Sequence, residues 1–387
     1  MNTKELDNNY IANTYQRFDV VFDHGKGSVI FDESGKKYID VGSGIAVNSF
    51  GIADEKWEEA VINQLKTLQH TSNLYYSQPQ ARLAELLCKK TGMKKVFFSN
   101  SGAEANECAI KAARKYSSDK YGGERNAIVT LRGSFHGRTI TTLSATGQEV
   151  FHKDFGPFTQ GFVFAEPNDI EDFKRIISEN SCCAVMIELI QGEGGLNVLD
   201  KEYVAALSQL AKENDILLIV DEVQTGNGRT GKLYCYMNYN IDPDIVTTAK
   251  GLGGGLPIGA TMFNEKTKGV LNAGSHGSTF GGNPVCAAGA LSIIERIDDS
   301  LLEEVISKSN YIFGEFASAK GVKSISGIGL MVGIETEKNA KEVVIECLNR
   351  GVASLTAKNK VRLLPALNIP FDELKEAIGI IKNVIAE

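Results

Sequence analysis

Hydrophobic and polar positions change period along the chain. Over residues 27–41 they alternate: Val29 and Phe31 lead into Glu33-Ser34-Gly35, and Tyr38 and Val41 lie on the return, which predicts a hairpin. Trp57, Ala60, Val61, Gln64, Leu65 and Leu68 then recur at helical spacing. From about residue 94, short apolar runs (96–98, 127–131, 162–164, 184–190, 216–220 and 245–246) alternate with amphipathic stretches such as 106–116 and 203–211. That alternation predicts βαβ units and a mostly parallel sheet buried on both faces. Further on, 300–314 reads as a bridging helix and 322–335 as two short strands about Gly327. A helix over 341–350 and strands at 352–354 and 361–364 follow. The last helix, capped by Asp372, lines up Leu374, Ala377, Ile378, Ile381, Val384 and Ile385. This end of the chain has the pattern of a smaller α+β unit.

Composition narrows the function classes. The 387 residues are 43% hydrophobic, enough for a large core and too apolar for intrinsic disorder. Lys plus Arg number 41 against 48 Asp plus Glu, a net charge of −7 that excludes a general nucleic-acid binder. Residues 1–10 are polar, without the apolar stretch of a secretory signal. The longest apolar runs fall far below the ~18 residues of a membrane-spanning helix. A cytoplasmic protein without membrane partners is the expectation. The seven Cys include no CxxC pair and the five His are scattered, so neither a disulfide framework nor a metal site is expected.

In an open α/β sheet, ligands bind beyond the carboxyl ends of the strands. Five of the runs end in glycine, charge or both: Ser99 to Glu104, Arg132 to Arg138, Gln191 to Gly195, Asp221 to Gly226, and Lys250 before a glycine cluster. Taken singly these signals are ordinary. Ser101-Gly102-Ala103 opening a helix can hold a phosphate, or simply cap it. Asp221 ending an apolar strand fits an N-cap or ion pair as well as a functional carboxylate. The glycines after Lys250 fit neither nucleotide-loop template, because Leu256 replaces the third glycine of one and Lys250 precedes the loop required by the other. Lys250 itself, between a buried strand and that loop, is placed for an amine of lowered pKa and Schiff-base chemistry.

Six motifs in order carry a resemblance: Ser-Asn-Ser-Gly-Ala-Glu-Ala-Asn (99–106), Phe-His-Gly-Arg-Thr (135–139), Gln-Gly-Glu-Gly-Gly (191–195), Asp-Glu-Val-Gln-Thr-Gly (221–226), Ala-Lys-Gly (249–251) and Gly-Ser-Thr-Phe-Gly-Gly-Asn-Pro (277–284). The chain resembles the class III, pyridoxal-phosphate-dependent ω-aminotransferases over nearly its whole length. The resemblance implies the α/β fold type I of these transferases. It places a mostly parallel sheet in a large cofactor-binding domain (48–280), an N-terminal segment (1–47) packing with the small domain, and a bridging helix plus small α+β domain (281–387). It also implies a homodimer with shared active sites and pyridoxal 5′-phosphate as cofactor. Lys250 matches the lysine that joins the cofactor aldehyde, and Gly102 and Ala103 match the phosphate cradle. Thr279 from the partner subunit matches the cap of that cradle. Phe135 and Val223 match the residues against the two ring faces, Asp221 the partner of the pyridine nitrogen, and Gln224 that of the phenolic oxygen; Glu222 belongs to the same cofactor-binding run. Arg138 matches the arginine for the substrate α-carboxylate, with Ser278 reaching the substrate from across the interface. Glu193 and Arg362 match a switch pair in which the glutamate masks the arginine for the amine donor and releases it for the dicarboxylic acceptor. Leu189 departs from the proline that relatives usually carry after the strand-end Glu188, and Gly51-Ile52-Ala53-Asp54 departs from their histidine-bearing loop.

These roles also follow from the chemistry. A carboxylate at a buried strand end raises the pKa of a ring nitrogen beside it. A free Lys250 amine can move a proton between carbons. Arg138 offers a planar fork to a carboxylate. The resemblance implies a reaction that passes the distal amine of N-acetylornithine to 2-oxoglutarate, with succinylornithine, ornithine and 4-aminobutyrate as the rival donors. A class III aminomutase or lyase retains Lys250 and Asp221 without needing 2-oxoglutarate. A non-catalytic binding protein has no use for the intact Lys250.

Overall fold

In the computed structural model, which describes residues 1–387, the alternating N-terminal stretch forms β1 (Phe22–Lys26), β2 (Val29–Asp32) and β3 (Lys37–Asp40), paired antiparallel. The continuous apolar runs become strands of a second sheet: β4 (Lys95–Ser99), β5 (Ala127–Leu131), β6 (Phe162–Ala165) and β7 (Cys182–Ile187). A two-residue pair, β8 (Ile190–Gln191) with β9 (Asn197–Val198), stands outside it, and β10 (Leu217–Asp221), β11 (Ile245–Thr248) and β12 (Gly259–Phe263) complete it. The order is β4-β12-β11-β10-β7-β5-β6. Every residue of β7, β10, β11 and β12 is buried, which is why their sequences run apolar instead of alternating.

The third sheet, β13 (Val322–Ile328), β14 (Met331–Thr336), β16 (Leu355–Ala357) and β17 (Lys360–Leu363), is antiparallel, while β15 (Val352–Ala353) pairs parallel with β3. The N-terminal strands and the C-terminal unit thus share hydrogen bonds, including Leu364 N–H to Val41 O at 2.7 Å. The bridging helix, Asp299–Phe316, packs against β13 and the last helix, Phe371–Ala386.

Four local expectations change. Strand β12, antiparallel to both β11 and β4, is absent from the apolar runs because its five residues open with glycine. A β-carbon at Gly259 would stand 2.3 Å from Ser101 O, so close passage under the next loop demands glycine there. The run 184–190 is not one strand: β7 stops at Ile187, and Glu188 turns the chain into the β8–β9 hairpin. Gly327 lies inside β13, and the hairpin turns at Gly329-Leu330. The last helix is capped by Pro370, which leaves Asp372 and Glu373 in its first turn, where their charge complements the helix dipole.

Candidate active site

A cavity of about 440 Å³ opens at the carboxyl ends of the large sheet. The five strand ends singled out by sequence meet around it, four supplying its lining directly: Ser101 to Ala103 beyond β4, Phe135 to Arg138 beyond β5, Asp221 with Val223 and Gln224 at β10, and Ala249-Lys250 beyond β11. Beyond β7 the lining residue is Glu188, with Gln191 to Gly195 following just behind.

The floor is a buried hydrogen-bond network. Asp221 Oδ2 accepts from Asn106 Nδ2 at 2.8 Å and faces His136 Nδ1 at 2.9 Å, while Oδ1 accepts from Val223 N–H at 3.0 Å. Asn106 also donates to His136 O at 2.7 Å and accepts from Thr247 Oγ1 at 2.7 Å. Asp221, Asn106, His136 and Thr247 are all buried. A helix of 20 residues, Gly102–Tyr121, starts beside them, capped by Ser101 Oγ, which accepts from Glu104 N–H at 3.2 Å. Its first N–H groups have no acceptor within the helix, and the dipole favours an anion there.

Lys250 takes a left-handed backbone, φ 46°, at a cost of about 1–3 kcal/mol that its surroundings must hold. Asn227 Nδ2 donates to Ala249 O at 3.2 Å and Ser49 Oγ to Gly251 O at 2.9 Å, fixing the peptides on either side. Burial lowers the pKa of the amine, and the nearby Arg362 charge adds to this, against the opposing charges of Glu193, Asp221 and Glu188. Burial likewise raises the Glu188 carboxyl, opposed by His136 and reinforced by Asp221.

The rim carries two arginines in opposite states. Arg362, buried on β17, places Nη1 2.5 Å from Glu193 Oε1 and 3.4 Å from Gln224 Oε1, and its Nε has no partner. Burial alone would raise the Glu193 carboxyl, but the Arg362 charge and hydrogen bond outweigh it and the net shift is downward. Arg138 is exposed, makes no salt bridge and lies over Phe151, with its guanidinium carbon 4.2 Å from the ring centroid.

Lys250, Asp221, Gly102, Ala103, Phe135, Val223, Gln224 and Arg138 therefore line one cavity, with Glu193 and Arg362 joined to it through Gln224. Glu222 does not line it, and Ser278 and Thr279, expected to serve the partner subunit's cavity, stand outside this one. Glu222, the first residue past β10, is fully buried and turned away, accepting from Tyr236 N–H at 2.7 Å and Thr225 Oγ1 at 2.5 Å; its own N–H donates to Thr247 O at 2.8 Å, so the backbone carries on the strand's alternation for one more residue. Ser278 accepts from Asn100 Nδ2 at 3.2 Å outside the cavity, and Thr279 is exposed. Asn106, His136 and Glu188 are the residues sequence reasoning gave no role. Asn106 lies four residues beyond Gly102 on the same helix face, a spacing that marks it.

The cavity suits the cofactor the resemblance implies. A helix N-terminus for a phosphate, a hydrogen-bonded carboxylate and a buried amine face one space. A β-carbon at Gly102 would stand 2.6 Å from Val223 Cγ1, so glycine is what lets the valine cover the cavity.

Comparison with known proteins gives a consistent result. The family model described as aminotransferase class-III matches residues 10–385. An acetylornithine aminotransferase from Haemophilus ducreyi is 51% identical, over 99% of this chain and 98% of its own. One from Caldanaerobacter subterraneus is 46% identical, over 98% of each. Among solved structures, an N-acetylornithine aminotransferase from Stenotrophomonas maltophilia superposes with a TM-score of 0.85 at 32% identity, over 99% of this chain and 98% of that one. An ornithine aminotransferase from Toxoplasma gondii, reported with partial occupancy of PLP at its active site, superposes with a TM-score of 0.94 at 29% identity, over 99% and 93%.

Proposed function

The chain belongs to the class-III aminotransferases, and from that premise we propose that it transfers the δ-amine of N-acetylornithine to 2-oxoglutarate, yielding N-acetylglutamate 5-semialdehyde and glutamate, a step of arginine biosynthesis. The relatives named above as acetylornithine aminotransferases support the donor. The observation that carries the reading is the unequal state of two arginines: Arg138 free, Arg362 masked by Glu193. A donor with one carboxylate needs one guanidinium. An acceptor with two needs the second, released when Glu193 withdraws.

Pyridoxal 5′-phosphate, the cofactor of this family, supplies when bound an electron sink for the carbanion left as the amine-bearing carbon loses its proton. The N–H groups of Gly102 and Ala103 would hold its phosphate, and Phe135 and Val223 its two ring faces. Asp221, oriented by Asn106 and His136, presents a fixed negative oxygen that favours a proton on a ring nitrogen beside it. Lys250 takes the substrate proton at Nζ and returns it at the neighbouring carbon; its lowered pKa raises the share of free base. Arg138 receives the donor carboxylate as a bidentate fork.

The reading includes a homodimer in the cytoplasm. Leu74, Tyr75, Tyr76 and Phe280 are exposed large apolar side chains, and Thr279 stands exposed beside Phe280. A second copy over this face would bury them and bring Ser278 and Thr279 to the partner's cavity. All seven cysteines are free, as a reducing compartment keeps them. The deciding experiment compares kcat/KM for N-acetylornithine, N-succinylornithine, ornithine and 4-aminobutyrate with 2-oxoglutarate as acceptor. N-acetylornithine is expected to lead, and a clear preference for any other donor refutes the assignment. Single-turnover amine transfer reversed by 2-oxoglutarate separates a transaminase from a mutase.

A further inference from the structure

Glu188 is buried, lines the cavity, makes no salt bridge and has no part in the reaction derived above. Its two oxygens accept from different loops: Oε2 from Phe135 N–H at 2.8 Å, beyond β5, and Oε1 from Gly192 N–H at 3.2 Å, beyond β7. The first loop carries Arg138 and the second carries Glu193 beside Gly192. The same two loops meet again where Gln191 Nε2 donates to Arg132 O at 2.8 Å, and where a β-carbon on Gly194 would stand 2.5 Å from Gly133 O. Only a carboxylate accepts at both ends. A glutamine of the same length would turn an NH₂ group toward one of the two N–H donors.

We propose that Glu188 is a positioning residue that fixes the spacing between Arg138 and the Glu193–Arg362 pair, and thereby the chain length of the dicarboxylic acceptor. This rests on the two-arginine reading of the reaction. The β8–β9 hairpin that Glu188 holds packs on the sheet carrying Arg362, where a β-carbon on Gly333, the register partner of Arg362, would stand 3.1 Å from Leu196 Cβ; the acceptor, which engages both arginines, therefore feels the loop spacing even after Glu193 has withdrawn. The donor's single carboxylate engages Arg138 alone and feels it far less. With the Glu188 carboxylate intact, the two loops move as one unit. Losing one of its hydrogen bonds leaves the Gln191–Arg132 bond as the remaining side-chain tie and loosens their spacing.

The test uses the holoenzyme and its Glu188→Gln variant at about pH 8.5, where the Glu188 carboxyl, pushed up to about 7 by burial, is ionised, with oxaloacetate, 2-oxoglutarate and 2-oxoadipate as acceptors of four, five and six carbons. The variant is expected to lose about tenfold in kcat/KM for 2-oxoglutarate, the effect of one lost hydrogen bond to a charged group. Its preference for five carbons over four and six should narrow, with a smaller loss in the donor half-reaction. Unchanged acceptor ratios, or equal losses in both half-reactions, would overturn the proposal. Should Glu188→Gln fail to fold, Glu188→Asp keeps both oxygens but withdraws them by one methylene, and the same shift in ratios is expected. A wild type that ignores N-acetylornithine but accepts another ω-amine refutes the donor assignment alone, since the acceptor series, run with that amine, still decides the role of Glu188.

Discussion

Asp221 and Glu193 both act on the Lys250 amine through their charge, yet one is locked and the other is free to leave. Asp221 is 4% exposed and held by Asn106, His136 and the Val223 N–H, all from the helix and loops at the carboxyl end of the large sheet. The Glu193 side chain is 29% exposed, sits in a hairpin turn, and is held by an arginine on a strand of a different sheet. Breaking the floor strands several buried polar groups at once, each costing about 1–3 kcal/mol. Opening the rim exposes one partner to water, and only Arg362 stays behind. Chemistry common to both half-reactions belongs on the locked side. The group that must distinguish two substrates belongs on the yielding one.

The contrast is sharpest at Lys250. Lys250→Ala is expected to reduce both half-reactions by about ten-thousandfold or more, since no other amine reaches the cavity. Stopped-flow traces with each substrate alone read the two losses, and an unequal effect would break the assignment of Lys250 to the shared step. Asp221→Asn should follow with a loss of about a hundred- to a thousandfold, also in both directions, because it removes a preorganised charge without changing shape.

Glu222 separates the floor from its immediate neighbourhood. Burial pushes its carboxyl up to about 7, above the ordinary 4.5, so the folded chain retains a proton that the unfolded chain releases. The stability this contributes is complete below about pH 4.5 and is lost as pH rises through about 7. Glu222→Gln cannot titrate. Relative to wild type it should therefore gain roughly 2–3 kcal/mol between pH 5 and pH 8, read as a closing or reversing gap in Tm. A pH-independent gap would mean that Glu222 stays ionised throughout.

The smallest expected effect is at the rim. Glu193→Gln unmasks Arg362, so kcat/KM for the monocarboxylate donor should fall about tenfold while 2-oxoglutarate is little changed. Equal effects on both would place Glu193 with the floor and erase the distinction.

How much of this was legible follows from how the signal is written along the chain. The buried parallel strands announce themselves as apolar runs, and their ends carry the residues that line the cavity, because a strand that is buried throughout has its polar chemistry only where it stops. Strand β12 did not, since Gly259 answers to a backbone 2.3 Å from where its β-carbon would lie, a contact made by residues far away in sequence. Glu188 was hidden inside an apolar run, and its two hydrogen bonds, to Phe135 and to Gly192, exist only once β5 and β7 are neighbours. Glu222 shows the opposite failure: adjacency to Asp221 suggested a shared role, and strand alternation sent its side chain into the core.

The sequence by itself determined the type of sheet, the strand ends to inspect and the identity of the amine and carboxylate, because periodicity and local chemistry are properties of neighbouring residues. Tertiary structure decided which carboxylate is locked, which arginine is masked and which residues tie one loop to another. Those depend on burial and on hydrogen bonds between segments up to 169 residues apart, as for Glu193 and Arg362, and no local pattern encodes the distance between them.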